Sequence, residues 1–167
     1  MLAGGKPRAR QEAGMSVISI RGVPTFHDDA GSGPEVGAGD LAGILLTAPL
    51  PLSARAELAA CLDVERVGPG HRLARSGGGG YALVLLRSGI AGVRRDGVLE
   101  RRVGPGDWFG DLAGDCGPDR PGADLTTESV TTAYVMDASS LRGLMRRSPV
   151  VVDLLRERIR ALTAVAR

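Results

Sequence analysis

The chain has 167 residues, the size of one domain. Its 21 basic residues nearly balance 19 acidic ones, and a formal net charge of +2 lacks the basic excess of a committed nucleic-acid binder. Hydrophobic residues make up 43%, enough for a core, while 25 glycines and 10 prolines argue for many tight turns and against a helical bundle.

Residues 1–38 are rich in glycine and mixed charge, and the only apolar stretch runs from Val17 to Ile20. They are expected to form a flexible tail, with an edge strand at 16–21 as the alternative, ahead of a domain over 39–167. The start of the chain has charges but no apolar h-region, so no signal peptide is expected there. No apolar run reaches the roughly 18 residues of a membrane span. Cys61 and Cys116 are the only cysteines and are expected to be reduced thiols in a cytoplasmic protein.

From Asp40 onward, order is expected. Asp40 is placed to cap a short helix carrying Leu41, Ile44, Leu45 and Leu46, which Pro49 and Pro51 end. Ser53 is placed to cap a second helix over about 54–62. Residues 63–136 then change period. Asp63–Val67, His71–Arg75, Tyr81–Leu86, Ile90–Arg95, Val98–Val103 and Val130–Met136 are expected strands, separated by glycine turns. Asp96-Gly97 supplies both positive-φ positions of a type I′ hairpin. The arginines at 94, 95, 101 and 102 suit a solvated edge strand protected by charge. Asp137 caps a helix over 138–147, and Ser148-Pro149 restarts one whose stripe is Val151, Leu155, Ile159, Leu162 and Val165–Ala166. Short strands at close spacing, separated by Gly/Pro turns and bounded by helices, predict a β-sandwich, jelly roll or barrel.

The segment Gly104-Pro-Gly-Asp-Trp-Phe-Gly-Asp-Leu-Ala-Gly114, followed by Arg120-Pro-Gly-Ala-Asp-Leu125, resembles the phosphate-binding cassette of cyclic nucleotide-binding domains. The catabolite activator and the regulatory subunit of protein kinase A typify that family, whose pattern is Gly-x-Gly-Asp-x-Phe-Gly-Glu-Leu and then Arg-x-Ala-x-Val. The likeness runs from about residue 41 to the end, three-quarters of the chain.

The resemblance implies a mainly β jelly-roll barrel with N-terminal helices and a C-terminal helical lid, acting as a non-enzymatic cAMP or cGMP sensor. Its ligand-binding residues would be Phe109, Gly110, Asp111, Leu112, Ala113, Arg120, Pro121, Gly122 and Ala123. Backbone N–H groups of a short helix starting at Gly110 would meet the phosphate, an arginine would neutralise it, and Asp111 would accept from the ribose hydroxyl. Two departures stand out. Asp111 occupies the family's Glu position and is one methylene shorter. Counting forward from Asp111 puts Arg120 at the arginine position, whereas counting back from Ala123 and Leu125 puts Pro121 there.

No cofactor is expected beyond the nucleotide. Two histidines, His27 and His71, are too few for a metal-binding cupin. Only 18 residues follow Pro149, so no DNA-reading helix-turn-helix is expected, nor a membrane partner. A protein partner or a homodimer through the last helix is the expected alternative use of its apolar stripe. A degenerate domain that binds no nucleotide and acts in assembly is the second reading of the whole chain.

Overall fold

The computed structural model describes residues 19–20, 23–24, 35–76, 79–110, 112 and 122–165. Most of the expected tail lies outside these residues. Within it, β1 (Ser19–Ile20) and β2 (Val23–Pro24) pair with each other as a two-stranded ribbon, separate from the main sheets. Packing of the domain is under way by Val36, which lies against the helical core.

Eight strands follow: β3 (Asp63–Val67), β4 (Arg72–Ala74), β5 (Leu83–Ser88), β6 (Ala91–Arg95), β7 (Val98–Val103), β8 (Trp108–Gly110), β9 (Ala123–Thr127) and β10 (Thr131–Met136). They form two four-stranded antiparallel sheets ordered β3-β10-β5-β8 and β4-β9-β6-β7. That interleaved order is a jelly roll. The expected fold class is therefore observed, and β8, inside the cassette motif, is a strand that periodicity did not mark.

In the first sheet, β10, β5 and β8 are buried on both faces while β3 at the edge is largely exposed, and the buried side chains sort by parity. Val84 and Leu86 of β5, Ala133 and Val135 of β10 and Phe109 of β8 point between the sheets, where they meet Leu73, Val93 and Leu125. Leu83, Leu85, Tyr134, Met136 and Trp108 point outward into a second core built with the helices. Two-sided burial is why Leu83–Leu86 reads as an unbroken apolar run. The second sheet covers only one face. In β9, Ala123, Leu125 and Thr127 are buried while Asp124 and Thr126 are partly exposed.

The helices are a 3-10 turn (Asp40–Gly43), α1 (Leu52–Ala59), α2 (Ala138–Arg147) and α3 (Pro149–Val165). Two expected caps are corrected. Asp40 lies inside the 3-10 turn, whose N-cap is Gly39, and its carboxylate reaches back to accept from the Gly37 N–H at 2.9 Å. The segment therefore closes as one tight turn rather than an α-helix through Leu46. Likewise, Pro51 is the N-cap of α1, so the helix starts one residue before Ser53 and ends at Ala59, and Ser53 caps nothing. A proline held near φ −54° (ψ 150°) leads directly into helix and makes a side-chain cap unnecessary.

The C-terminal expectations hold more closely. Asp137 caps α2, accepting from the Ser140 N–H at 2.6 Å. Pro149 opens α3, and the Ser148 carbonyl accepts from Val151 N–H at 3.0 Å. The Ser148 hydroxyl does not serve its own helix but donates to Glu57 on α1. The Asp96-Gly97 hairpin is as expected: Arg95 pairs with Val98, and φ is 50° at Asp96 and 81° at Gly97. The flanking arginines are not merely solvated. Arg94 and Arg102 both reach Glu128, at 3.4 and 2.6 Å, and Arg95 pairs with Glu100 at 2.7 Å.

Candidate nucleotide-binding cassette

The cassette begins on a rigid lead-in. Gly104-Pro105-Gly106-Asp107 is a type II turn: Asp107 N–H donates to the Gly104 carbonyl at 3.0 Å, proline takes the second position and Gly106 the third with φ 86°. The Asp107 carboxylate accepts from the Gly104 N–H at 2.8 Å, so this motif residue is spent on the turn. The Gly106 carbonyl accepts from Leu45 N–H at 2.8 Å, which ties the turn to the N-terminal segment.

β8 then crosses the first sheet at its edge. Leu85 pairs with Trp108, Val84 with Phe109 and Leu83 with Gly110. Phe109 is buried between the sheets, so its ring is a core residue. Gly110 has φ 150°, and a Cβ there would stand 2.3 Å from the Ala82 carbonyl oxygen. The glycine is required by the sheet itself, before any ligand is considered.

Beyond Gly110 the described residues resume only at Leu112 and at Gly122. Asp111, Ala113, Arg120 and Pro121, with Cys116, lie outside them, while Gly110, where a helix was expected to start, instead ends β8 paired with Leu83. Leu112 is buried in the helical core, to which Val151, Val152, Leu155 and Ile159 of α3 also belong. Its carbonyl accepts from Arg156 Nη2 at 3.4 Å. At the exit, Gly122 has φ 109°, and a Cβ there would sit 3.4 Å from Arg95 Nη1 and 3.5 Å from Ser76 Oγ. Ala123 is buried between the sheets and pairs with Arg95. The structure thus brings Phe109 and Ala123 into one core and places Leu112 in the other.

Two participants at the exit escaped sequence reasoning. Asp124 accepts from the Ser76 N–H at 2.6 Å and lies 4.0 Å from Arg72 Nε, tying Ser76 and β4 to the cassette's exit strand. Its outward place in an alternating strand was the available signal. Arg156, whose link to Leu112 spans 44 residues of sequence, carried no local signal. Among the described residues, no cluster of histidine, cysteine and carboxylate could hold a metal ion. No helix described is long and apolar enough to cross a membrane.

This architecture, a jelly roll interrupted between β8 and β9 by a glycine-bounded cassette and closed by C-terminal helices, is the fold of cyclic nucleotide-binding domains. No family model matches the chain. No curated protein matches it either. Solved structures do. The chain resembles cAMP-bound PfPKA-R (141–441) with a TM-score of 0.54 and 20% identity, covering 72% of this chain and 45% of that one. It resembles the C-linker/CNBHD of zELK channels, crystallised in the presence of cAMP, with a TM-score of 0.57 and 18% identity over 72% of this chain and 62% of that one. It also resembles the regulatory domain of Toxoplasma gondii PKA with cAMP, with a TM-score of 0.56 and 19% identity over 72% and 47%. The chain therefore spans less than two-thirds of each of these longer proteins.

Proposed function

We propose that the chain is a non-enzymatic regulatory domain that binds a cyclic nucleotide, cAMP or cGMP, in the segment from Phe109 to Ala123. Asp111 takes the ribose hydroxyl, the backbone after Gly110 takes the phosphate, and Arg120 neutralises it. Pro121 and Gly122 shape the exit. The observation that carries the reading is the position of Leu112. It leaves the cassette to enter the same core as α3, so a ligand that moves the cassette acts on the helix. The output then depends on a differential affinity for two positions of α3. A homodimer or a protein partner meeting the exposed side of α3, in the cytoplasm, would receive it.

Titration calorimetry with cAMP and cGMP tests this. Heat of binding is expected for the wild type, and Arg120→Ala should weaken binding by more than about 1.5 kcal/mol, the worth of a charge-assisted hydrogen bond. Absence of heat at millimolar ligand sinks the sensor reading.

A second reading has its own support. Gly110 is already demanded by the Ala82 carbonyl, and Asp111 and Pro121 depart from the family pattern. A domain that keeps the cassette as scaffold, binds no nucleotide and works as an assembly module accounts for these features.

A further inference from the structure

A second concavity lies away from the cassette, between the end of α1 and the length of α2. It is an open hollow of about 310 Å³, lined by Cys61, Ser139, Ser140, Gly143 and the exposed Arg146 and Arg147. Its polar groups are hydroxyls, a thiol and two guanidinium groups, and no carboxylate lines it. Of the nearby acids, Asp137 is engaged by the Ser140 N–H and Glu57 by the Ser148 hydroxyl. Among the described residues, Arg147 Nη2 donates to the Cys61 sulfur alone, a weak acceptor, at 3.3 Å. Arg146 has no hydrogen bond or ion pair among the described residues.

Gly143 gives the second, independent sign. It stands in the middle of α2, where glycine is the poorest helix former after proline. Its φ is not positive, so no turn requires it. Outside the helix's own backbone, the three atoms nearest a Cβ placed there all belong to the Arg147 guanidinium, the closest at 3.3 Å. A Cβ here meets only the tip of the exposed Arg147 side chain, which would have to shift by a few tenths of an ångström to admit it. Basic residues in a last helical turn suit the helix dipole, which explains the charge but not the glycine beneath it.

We infer that this pocket binds a phosphate group, held by the forked donors of Arg146 and Arg147 and by the Ser139 hydroxyl. Two guanidinium groups with no carboxylate between them match a doubly charged oxyanion better than a neutral ligand. The site is independent of the cassette and stands whether or not the cassette takes a nucleotide. The phosphate can come as the free ion or on a phosphoserine segment.

The test uses Cys61 as reporter in the full chain carrying Cys116→Ser. The rate of alkylation by iodoacetamide is followed with inorganic phosphate, with a phosphoserine peptide, and with chloride at matched ionic strength. Saturable slowing of at least several-fold by phosphate, absent with chloride, is the expected result. Saturation at lower peptide than phosphate concentration assigns the source to a phosphoprotein, and the reverse order assigns it to the free ion. Arg146→Gln with Arg147→Gln should abolish the protection. Gly143→Ala should raise Tm while losing most of the protection, a combination that a merely structural glycine would not give. Protection equal to that of chloride, protection that survives loss of both arginines, or a lower Tm for Gly143→Ala overturns the proposal.

Discussion

Arg156 on α3 donates from Nη2 to the carbonyl oxygen of Leu112 at 3.4 Å, across 44 residues of sequence. The same guanidinium also pairs with Asp153 at 3.3 Å, while its buried Nε has no partner among the described residues. The cassette is therefore joined to the last helix twice, by an apolar side chain and by a single long hydrogen bond.

Those two links should differ in weight. Leu112→Ala empties a fully packed position and is expected to cost about 2–5 kcal/mol, whereas Arg156→Ala should cost less than about 1.5 kcal/mol. Urea unfolding of both variants and the double mutant measures this. If Leu112→Ala unfolds at the wild-type midpoint, the cassette is not anchored in the helical core.

At Gly110 the expected loss is steric. Alanine there would need both an unfavourable φ and a Cβ 2.3 Å from the Ala82 oxygen, so β8 must detach from β5. A destabilisation above about 2 kcal/mol is expected by denaturant titration, in the range reserved for strained backbone positions. An alanine variant of wild-type stability would refute the pairing of Gly110 with Leu83.

The Glu128 carboxylate gathers Arg94 and Arg102 over Gly92, whose missing Cβ leaves room for it. Both arginines are more than a third exposed, so the charge contribution is discounted for solvent. Glu128→Gln is expected to cost under about 1 kcal/mol and to match the wild type near molar salt. A larger loss that persists in salt would mean that the carboxylate acts by shape, not charge.

Alkaline pH should expose Tyr81. Burial, then its 2.7 Å hydrogen bond to Glu65 and the charge of that carboxylate, raise its pKa well above the usual tyrosine value. Because the folded state holds this proton more tightly, the stability it contributes is complete below the ordinary tyrosine pKa and is lost as pH rises above it. Tyr134 shifts the same way, chiefly through burial. Absorbance titration should show both tyrosines ionising late, and Tyr81→Phe should flatten the fall in Tm above about pH 10. Normal ionisation of Tyr81 in the folded protein contradicts the Glu65 contact.

What was legible beforehand is local. Asp96-Gly97, Asp137 and Pro149 each act within a few residues, through φ or a side-chain cap, and each landed where expected. Asp40 and Ser53 failed because capping residues are interchangeable with a well-placed proline or a tight turn. β8 failed because three residues buried on both faces carry no period. At the site, the cassette boundaries Gly110 and Gly122 were legible as a motif, but the structural reason for Gly110 was not, since the Ala82 carbonyl lies on another strand.

The sequence by itself determined a domain of short strands and glycine turns, a sandwich, jelly roll or barrel, and it marked the cassette. Only the tertiary structure decided which face each residue serves. Phe109 and Leu112 are three residues apart and lie in different cores. Arg156 and Leu112, or Arg147 and Cys61, become neighbours only when the helices close over the sheet. Burial is a property of two surfaces brought together, and one chain segment carries only its own half of it.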